Sequence, residues 1–155
     1  MPAQRLREFL DQRNVRYVSI RHSPAYTAQA IAHSAHISGK ELAKSVMVKI
    51  DGRLAMVVLP ATHKVNLGAL RDALGGENVE LAEERDFLNA FPGCELGAMP
   101  PFGNLWDVPV YVAQRLAEDE LIAFNAGSHT ELVRLRYEDF ERLVDPKVME
   151  FSTAF

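Results

Sequence analysis

The chain has 155 residues, of which 48% are hydrophobic and 25% charged, with a formal net charge of −4. These values fit one soluble domain with a single buried core over residues 1–155 and exclude a disordered or fibrous chain. The acidic balance argues against a general nucleic-acid binder, whose affinity comes from phosphate neutralisation, but allows a grip on one or two phosphates at an RNA end.

Leu6, Phe9 and Leu10 fall at helical spacing, which predicts a first helix from about Pro2 to Asn14. This segment mixes charges into its pattern and has no apolar h-region, so no signal peptide is expected and the cytoplasm is the expected compartment. Val15 to Ile20 alternates and is rich in β-formers, so it reads as a strand. After a turn at His22-Ser23-Pro24, Thr27 is a plausible N-cap for a short helix through Ala28, Ala30, Ile31 and Ala35. Ser38-Gly39-Lys40-Glu41 matches a capping box for a brief helical turn.

Lys44 to Ile50 and Leu54 to Pro60 flank Asp51-Gly52, the dipeptide favoured by a tight turn, which predicts a β-hairpin. Asn66 is placed to cap a helix through Leu67, Leu70 and Leu74, stopped by Gly75-Gly76. Val79 to Leu81 reads as a strand, and Glu83 to Phe91 as a helix ended by Pro92. A loop dense in Gly and Pro spans Gly97 to Asn104. Val108 to Ala113, Glu120 to Phe124 and Glu131 to Leu135 read as strands, and Glu138 to Val144 as a last helix with Phe140, Leu143 and Val144 inward. The longest apolar runs are strand-length, too short to span a bilayer. Hairpin-like strand clusters with helices between them give an α+β class with a mixed, strongly curved sheet.

Several catalytic signatures are missing: no GxSxG elbow, HExxH helix, paired CxxC, Walker loop or dinucleotide fingerprint occurs. His33 and His36 stand at i, i+3, a spacing that can hold a metal, but no third ligand lies near them in sequence, and no metal is expected. Cys94 is the only cysteine, which excludes an internal disulfide, and no flanking pattern marks it as a nucleophile.

Three segments remain. Lys44, at the start of a strand after a short turn, is either a phosphate anchor or a solvated strand-end lysine. The Gly97 to Gly103 loop is either a rigid sharp turn or a frame that brings backbone N–H groups to a carbonyl or oxyanion. His129, in the polar turn Asn125-Ala126-Gly127-Ser128-His129-Thr130, either contacts a ligand or hydrogen-bonds its own loop.

Lys44 in KELAKSVMVK, the loop Gly97-Ala98-Met99-Pro100-Pro101 and His129 in AGSHTELV, in this order, resemble the YbaK / prolyl-tRNA synthetase-associated editing domain family. Free-standing members of that family deacylate misacylated tRNAs in trans. The resemblance runs from Tyr26-Thr27 to the helix around Phe140. It implies a mixed, barrel-like β-sheet flanked by helices and a reaction with no metal or other cofactor. By the same resemblance, Lys44 holds the phosphate of the terminal adenosine. Gly97 and Ala98 position the ester carbonyl, while the substrate's own ribose hydroxyl helps activate water. A lysine of ordinary pKa, ~10.4, is a poor general base at neutral pH, which suits this division of labour.

Thr27, Ala28, Ile31, Met47, Pro101 and His129 are the expected contacts of the aminoacyl group and tRNA end. Small and aliphatic linings suit a small uncharged amino acid and leave alanine, serine, cysteine, threonine and 2-aminobutyrate open. The expected partners are the acceptor end of an aminoacyl-tRNA and, transiently, a synthetase, with no membrane and a monomeric chain. The rivals are a non-catalytic module that senses an aminoacyl or nucleotide ligand, and a general hydrolase of small esters or amides.

Overall fold

The computed structural model describes residues 4–25, 28–35, 37–38, 41–76 and 78–154. The first amphipathic segment forms α1 (Gln4–Gln12), which buries Leu6 and Leu10. Asn14 follows with φ 55°, a left-handed conformation that asparagine tolerates and that stops the helix. β1 (Tyr17–Arg21) and α2 (Ala28–Ala35) come next. Pro2, Tyr26, Thr27, His36, Gly39 and Lys40 lie outside the described residues, and with them the Thr27 cap and part of the capping box.

The predicted hairpin is β2 (Ala43–Ile50) and β3 (Arg53–Pro60), paired in register from Ala43↔Pro60 to Ile50↔Arg53. Its turn carries φ 51° at Asp51 and 80° at Gly52, both positive as a two-residue hairpin turn of matching twist requires. β4 (His63–Val65) leads to α3 (Leu67–Ala73), where Asn66 Oδ1 accepts the Ala69 N–H at 3.0 Å as its cap. β5 (Val79–Leu81) and α4 (Glu84–Phe87) follow. The expected helix from Glu83 to Phe91 is cut to the single turn Glu84–Phe87, which buries no residue fully, and the chain continues through turns to the buried Phe91.

The second half contains β6 (Val110–Ala113), β7 (Leu121–Asn125), β8 (Glu131–Arg136), α5 (Tyr137–Val144), β9 (Lys147–Met149) and β10 (Ser152–Ala154). One sheet has the order β5-β2-β3-β6-β9, antiparallel at β5-β2-β3 and parallel at β3-β6-β9, so it is mixed as expected. A second, antiparallel sheet has the order β1-β8-β7, and β10 pairs with β4. Among the described residues the sheets do not close into a barrel. A single parallel bridge, Leu42 to Ala123, joins β7 to the start of β2.

Side-chain alternation along β2 assigns its two faces. Ala43 and Met47 enter the main core, where Phe102, Phe124 and Phe140 are fully buried. Val48 and Ile50 enter a second core with Leu70 of α3 and Phe151. A third cluster seats Ile31, Ala32 and Ala35 of α2 on Leu42, Ala123 and Leu132. Phe151 belongs to the tail, and its carbonyl accepts the Asn66 N–H at 2.7 Å, tying the chain end to the α3 cap.

Candidate active site

Two turns far apart in sequence are laced together. The Glu95 N–H donates to Gly127 O at 2.7 Å, and the Gly127 N–H donates to Ala98 O at 2.9 Å. The Ala98 N–H closes its own turn on Glu95 O at 3.0 Å. Glu95 Oε2 then accepts the backbone N–H of His129 at 2.8 Å and lies 2.6 Å from its Nδ1. Gly97 sits at the exposed tip with φ 85°, a left-handed backbone that glycine takes without strain. A Cβ built on it would meet His129 Nε2 at 3.7 Å, so the imidazole and the glycine are neighbours. The segment before α2 joins the same end: His22 N–H donates to Thr130 O at 2.9 Å and Ala25 N–H to His129 O at 3.2 Å.

Lys44 stands half-buried on β2, and burial lowers its pKa from the ordinary lysine value. The parallel Leu42–Ala123 bridge and the Ala123 N–H to Glu41 O bond at 3.1 Å set the start of β2, where Lys44 stands, alongside β7, whose last residue is Asn125. Asn125 leads into the turn that carries His129, which sets Lys44 and the laced turns at one end of the fold. Beside Lys44 is a cationic corner. His63 is held below its ordinary value first by burial, then by the charges of Arg115 and Lys44, and its Nδ1 lies 2.9 Å from Ser152 Oγ. Arg115 is itself balanced by Asp119 at 3.1 Å and Glu118 at 3.8 Å.

Of the predicted site residues, Gly97, Ala98 and His129 come together, and Lys44 joins them at the same end of the fold. Ala98 is fully buried and its N–H is engaged in the turn, so it frames the loop and leaves no amide for an oxyanion. The Gly97 N–H has no acceptor among the described residues. Pro101 is buried beneath the loop. Met47 does not reach Lys44: three residues along a strand reverse the face, and Met47 points into the main core. Ile31 is buried against Leu42, Ala123 and Leu132, so it underlies α2 rather than facing outward. Ala28 opens α2, and Thr27 lies outside the described residues.

The sequence reading missed Glu95, His63, Arg115 and Asn125. Four buried polar atoms lack a hydrogen-bond partner among the described residues, and two of them, Asn125 Oδ1 and His22 Nε2, belong to the segments that meet here. Such atoms are uncommon and suit a ligand contact. No periodicity could have marked these residues, because each gains its place from a partner on another element. Burial pushes the Cys94 thiol up to about 11, so it is no thiolate at neutral pH. Among the described residues no three His, Cys, Asp or Glu side chains are grouped to hold a metal, and His33 is exposed on α2.

The family model described as the aminoacyl-tRNA editing domain matches residues 22–143. The multifunctional Ser/Thr-tRNA deacylase ProXp-y of Escherichia coli K12 is 27% identical over 154 residues, covering 96% of this chain and 91% of that protein. The proline–tRNA ligase of Bacillus subtilis 168 is 28% identical over 134 residues, which are 84% of this chain and 22% of that enzyme. A solved structure described as a candidate trans-editing enzyme for prolyl tRNA synthetase superposes with a TM-score of 0.82 at 18% identity. It covers 99% of this chain and 98% of its own, and it shares the fold. No helix among the described residues is long and apolar enough to cross a membrane.

Proposed function

The chain belongs to the aminoacyl-tRNA editing domain family, and on that premise we propose that it hydrolyses the ester of mischarged aminoacyl-tRNA carrying a small uncharged amino acid. The observation that carries the reading is Gly97, exposed at the tip of its loop and held beside His129 by two interlocked turns at the Lys44 end of the fold.

In the proposed reaction Lys44 holds the phosphate of the terminal adenosine. The half-buried ammonium suits this task, since a charge with fewer waters to shed binds an anion more firmly. The Gly97 N–H faces the ester carbonyl and takes the growing negative charge on its oxygen, a contribution of about 2.7–4 kcal/mol for one such donor. Water adds to the carbonyl carbon, helped by the neighbouring ribose hydroxyl of the substrate. The ester C–O bond then breaks, the ribose oxygen leaves with a proton, and a free amino acid and an uncharged tRNA result. Asn125 Oδ1 and His22 Nε2 are candidate contacts for the polar groups of the aminoacyl-adenosine end. The reading takes the chain to act as a monomer on the acceptor end.

The test is amino-acid release from a panel of tRNAs charged with alanine, serine, cysteine, threonine or 2-aminobutyrate. Turnover of one or more is expected. Binding without release from any of them would favour the sensing module, which keeps the pocket without the chemistry.

A further inference from the structure

We infer that Glu95 is a positioning residue: its carboxylate fixes the tautomer and orientation of His129, so that Nε2 becomes the acceptor nitrogen and lies against Gly97. The inference rests on the deacylase reading for its chemistry, and on five hydrogen bonds for its geometry.

One oxygen of Glu95, Oε2, meets both the backbone N–H and the ring Nδ1 of His129, at 2.8 and 2.6 Å. An ionised carboxylate only accepts, so the short contact to Nδ1 requires the proton to sit there. In the neutral ring the lone pair is then on Nε2, the nitrogen on the Gly97 side. An acceptor nitrogen is thereby set on the Gly97 side of the ring, an arrangement that a wrongly protonated ring would lose. The His129 side chain is 13% exposed and that of Glu95 50%, so the carboxylate supports the ring from the solvent side.

The lacing of the two turns does not depend on this carboxylate. The turns are closed by Glu95 N–H to Gly127 O, Gly127 N–H to Ala98 O and Ala98 N–H to Glu95 O, all main-chain bonds. Removing the side chain therefore leaves this lacing in place and frees the imidazole together with the His129 N–H that shares the same oxygen. Groups that orient a histidine ligand at a metal change activity by about 10–100-fold when removed, and a loss of that order is expected of Glu95.

The experiment compares Glu95→Ala and Glu95→Gln with the wild type. Turnover is measured on the best mischarged tRNA of the panel, and the ring nitrogens of His129 are read by 15N NMR in the free protein. Glu95→Ala is expected to lower kcat by about 10–100-fold with KM within about threefold, and to move the ring proton from Nδ1 toward Nε2. Glu95→Gln keeps an acceptor oxygen in place and is expected to hold Nδ1 protonation and kcat within about threefold of wild type. Near-normal turnover in Glu95→Ala, an unchanged tautomer there, or a glutamine variant as poor as the alanine one would overturn the assignment. If the wild type releases no amino acid from any tRNA, the deacylase reading falls, and the ring nitrogens still decide whether Glu95 sets the tautomer.

Discussion

Gly97 and His129 approach across two turns that are 32 residues apart in the chain, close enough that a methyl on Gly97 would stand 3.7 Å from Nε2. Gly97→Ala should therefore act twice. The left-handed φ of 85° costs a non-glycine residue about 1–2 kcal/mol, which lowers the unfolding midpoint. A turn that relaxes from that φ also re-aims its amide, and kcat should fall by about 10-fold or more, toward the 10²–10³ typical of a lost oxyanion donor. Gly103→Ala is the control, because its Cβ would meet Val108 O at 2.7 Å. That change should destabilise by about 1–3 kcal/mol while the folded fraction keeps its kcat. Equal kcat in the two variants, measured below both unfolding midpoints, would remove the donor role from Gly97.

Lys44→Ala should cost about 1.5–3 kcal/mol of substrate binding, the range for a hydrogen bond to a charged group, or about 10–150-fold in kcat/KM. Circular dichroism should show an unchanged fold, since the lysine is half-buried at a strand start and its removal leaves no dry cavity. Lys44→Arg should restore only part of the loss, because the guanidinium is a planar fork and the site holds a compact ammonium. Near-normal kcat/KM in Lys44→Ala would contradict the phosphate role.

Acid should weaken the cationic corner. His63 binds its proton less tightly in the folded chain than its ordinary 6.5, through burial first and then Arg115 and Lys44. The unfolded chain therefore takes up more protons as pH falls past 6.5. This contribution is complete above that value and is lost as pH falls through the lower folded value. Urea midpoints at about pH 7.5 and 5.5 should differ more for the wild type than for His63→Gln, which keeps a partner for Ser152 without titrating. Equal differences in the two proteins would show that His63 does not couple to folding.

Binding to tRNA should depend only gently on salt. If one to three phosphates of the acceptor end are neutralised, log K against log salt should slope by about −0.7 per contact. Fluorescence titration of an uncharged tRNA at several salt concentrations measures this directly. A slope implying six or more phosphates would reveal a broad RNA-binding face on a chain whose net charge is −4.

Local signals were read well and distant ones poorly. Asp51-Gly52 announced the β2–β3 hairpin because its positive φ values are a property of those two residues alone. Asn66 announced α3 for a similar reason, since a cap reaches only three residues ahead. β4, β9 and β10 went unread because no run of β-formers marks these short segments, and each exists through its partner strand. The Glu83 to Phe91 helix was read too long because Phe87, Ala90 and Phe91 suit a packed turn as well as a helix, and only their tertiary partners decide between them. Within the site, Lys44, Gly97 and His129 were visible as motifs, whereas Glu95 and His63 owe their roles to contacts across 34 and 89 residues. Met47 lies on the opposite face of β2 from Lys44 and enters the main core, a parity that the strand assignment already contained.

The match to the editing family ends at residue 143, but the fold does not. β9 covers the outer edge of β6, β10 pairs β4, and Phe151 is fully buried in the second core. Trimming the chain to the matched span would bare the backbone of β6 to pairing with other molecules and empty a phenylalanine-sized hole, at about 3–5 kcal/mol. α1, with buried Leu6 and Leu10, would leave from the other side. Portability is thus set by packing rather than by family resemblance: a transplant into a synthetase, or a fusion built for editing in another host, must carry both flanks to keep Lys44 and Gly97 on one rigid frame.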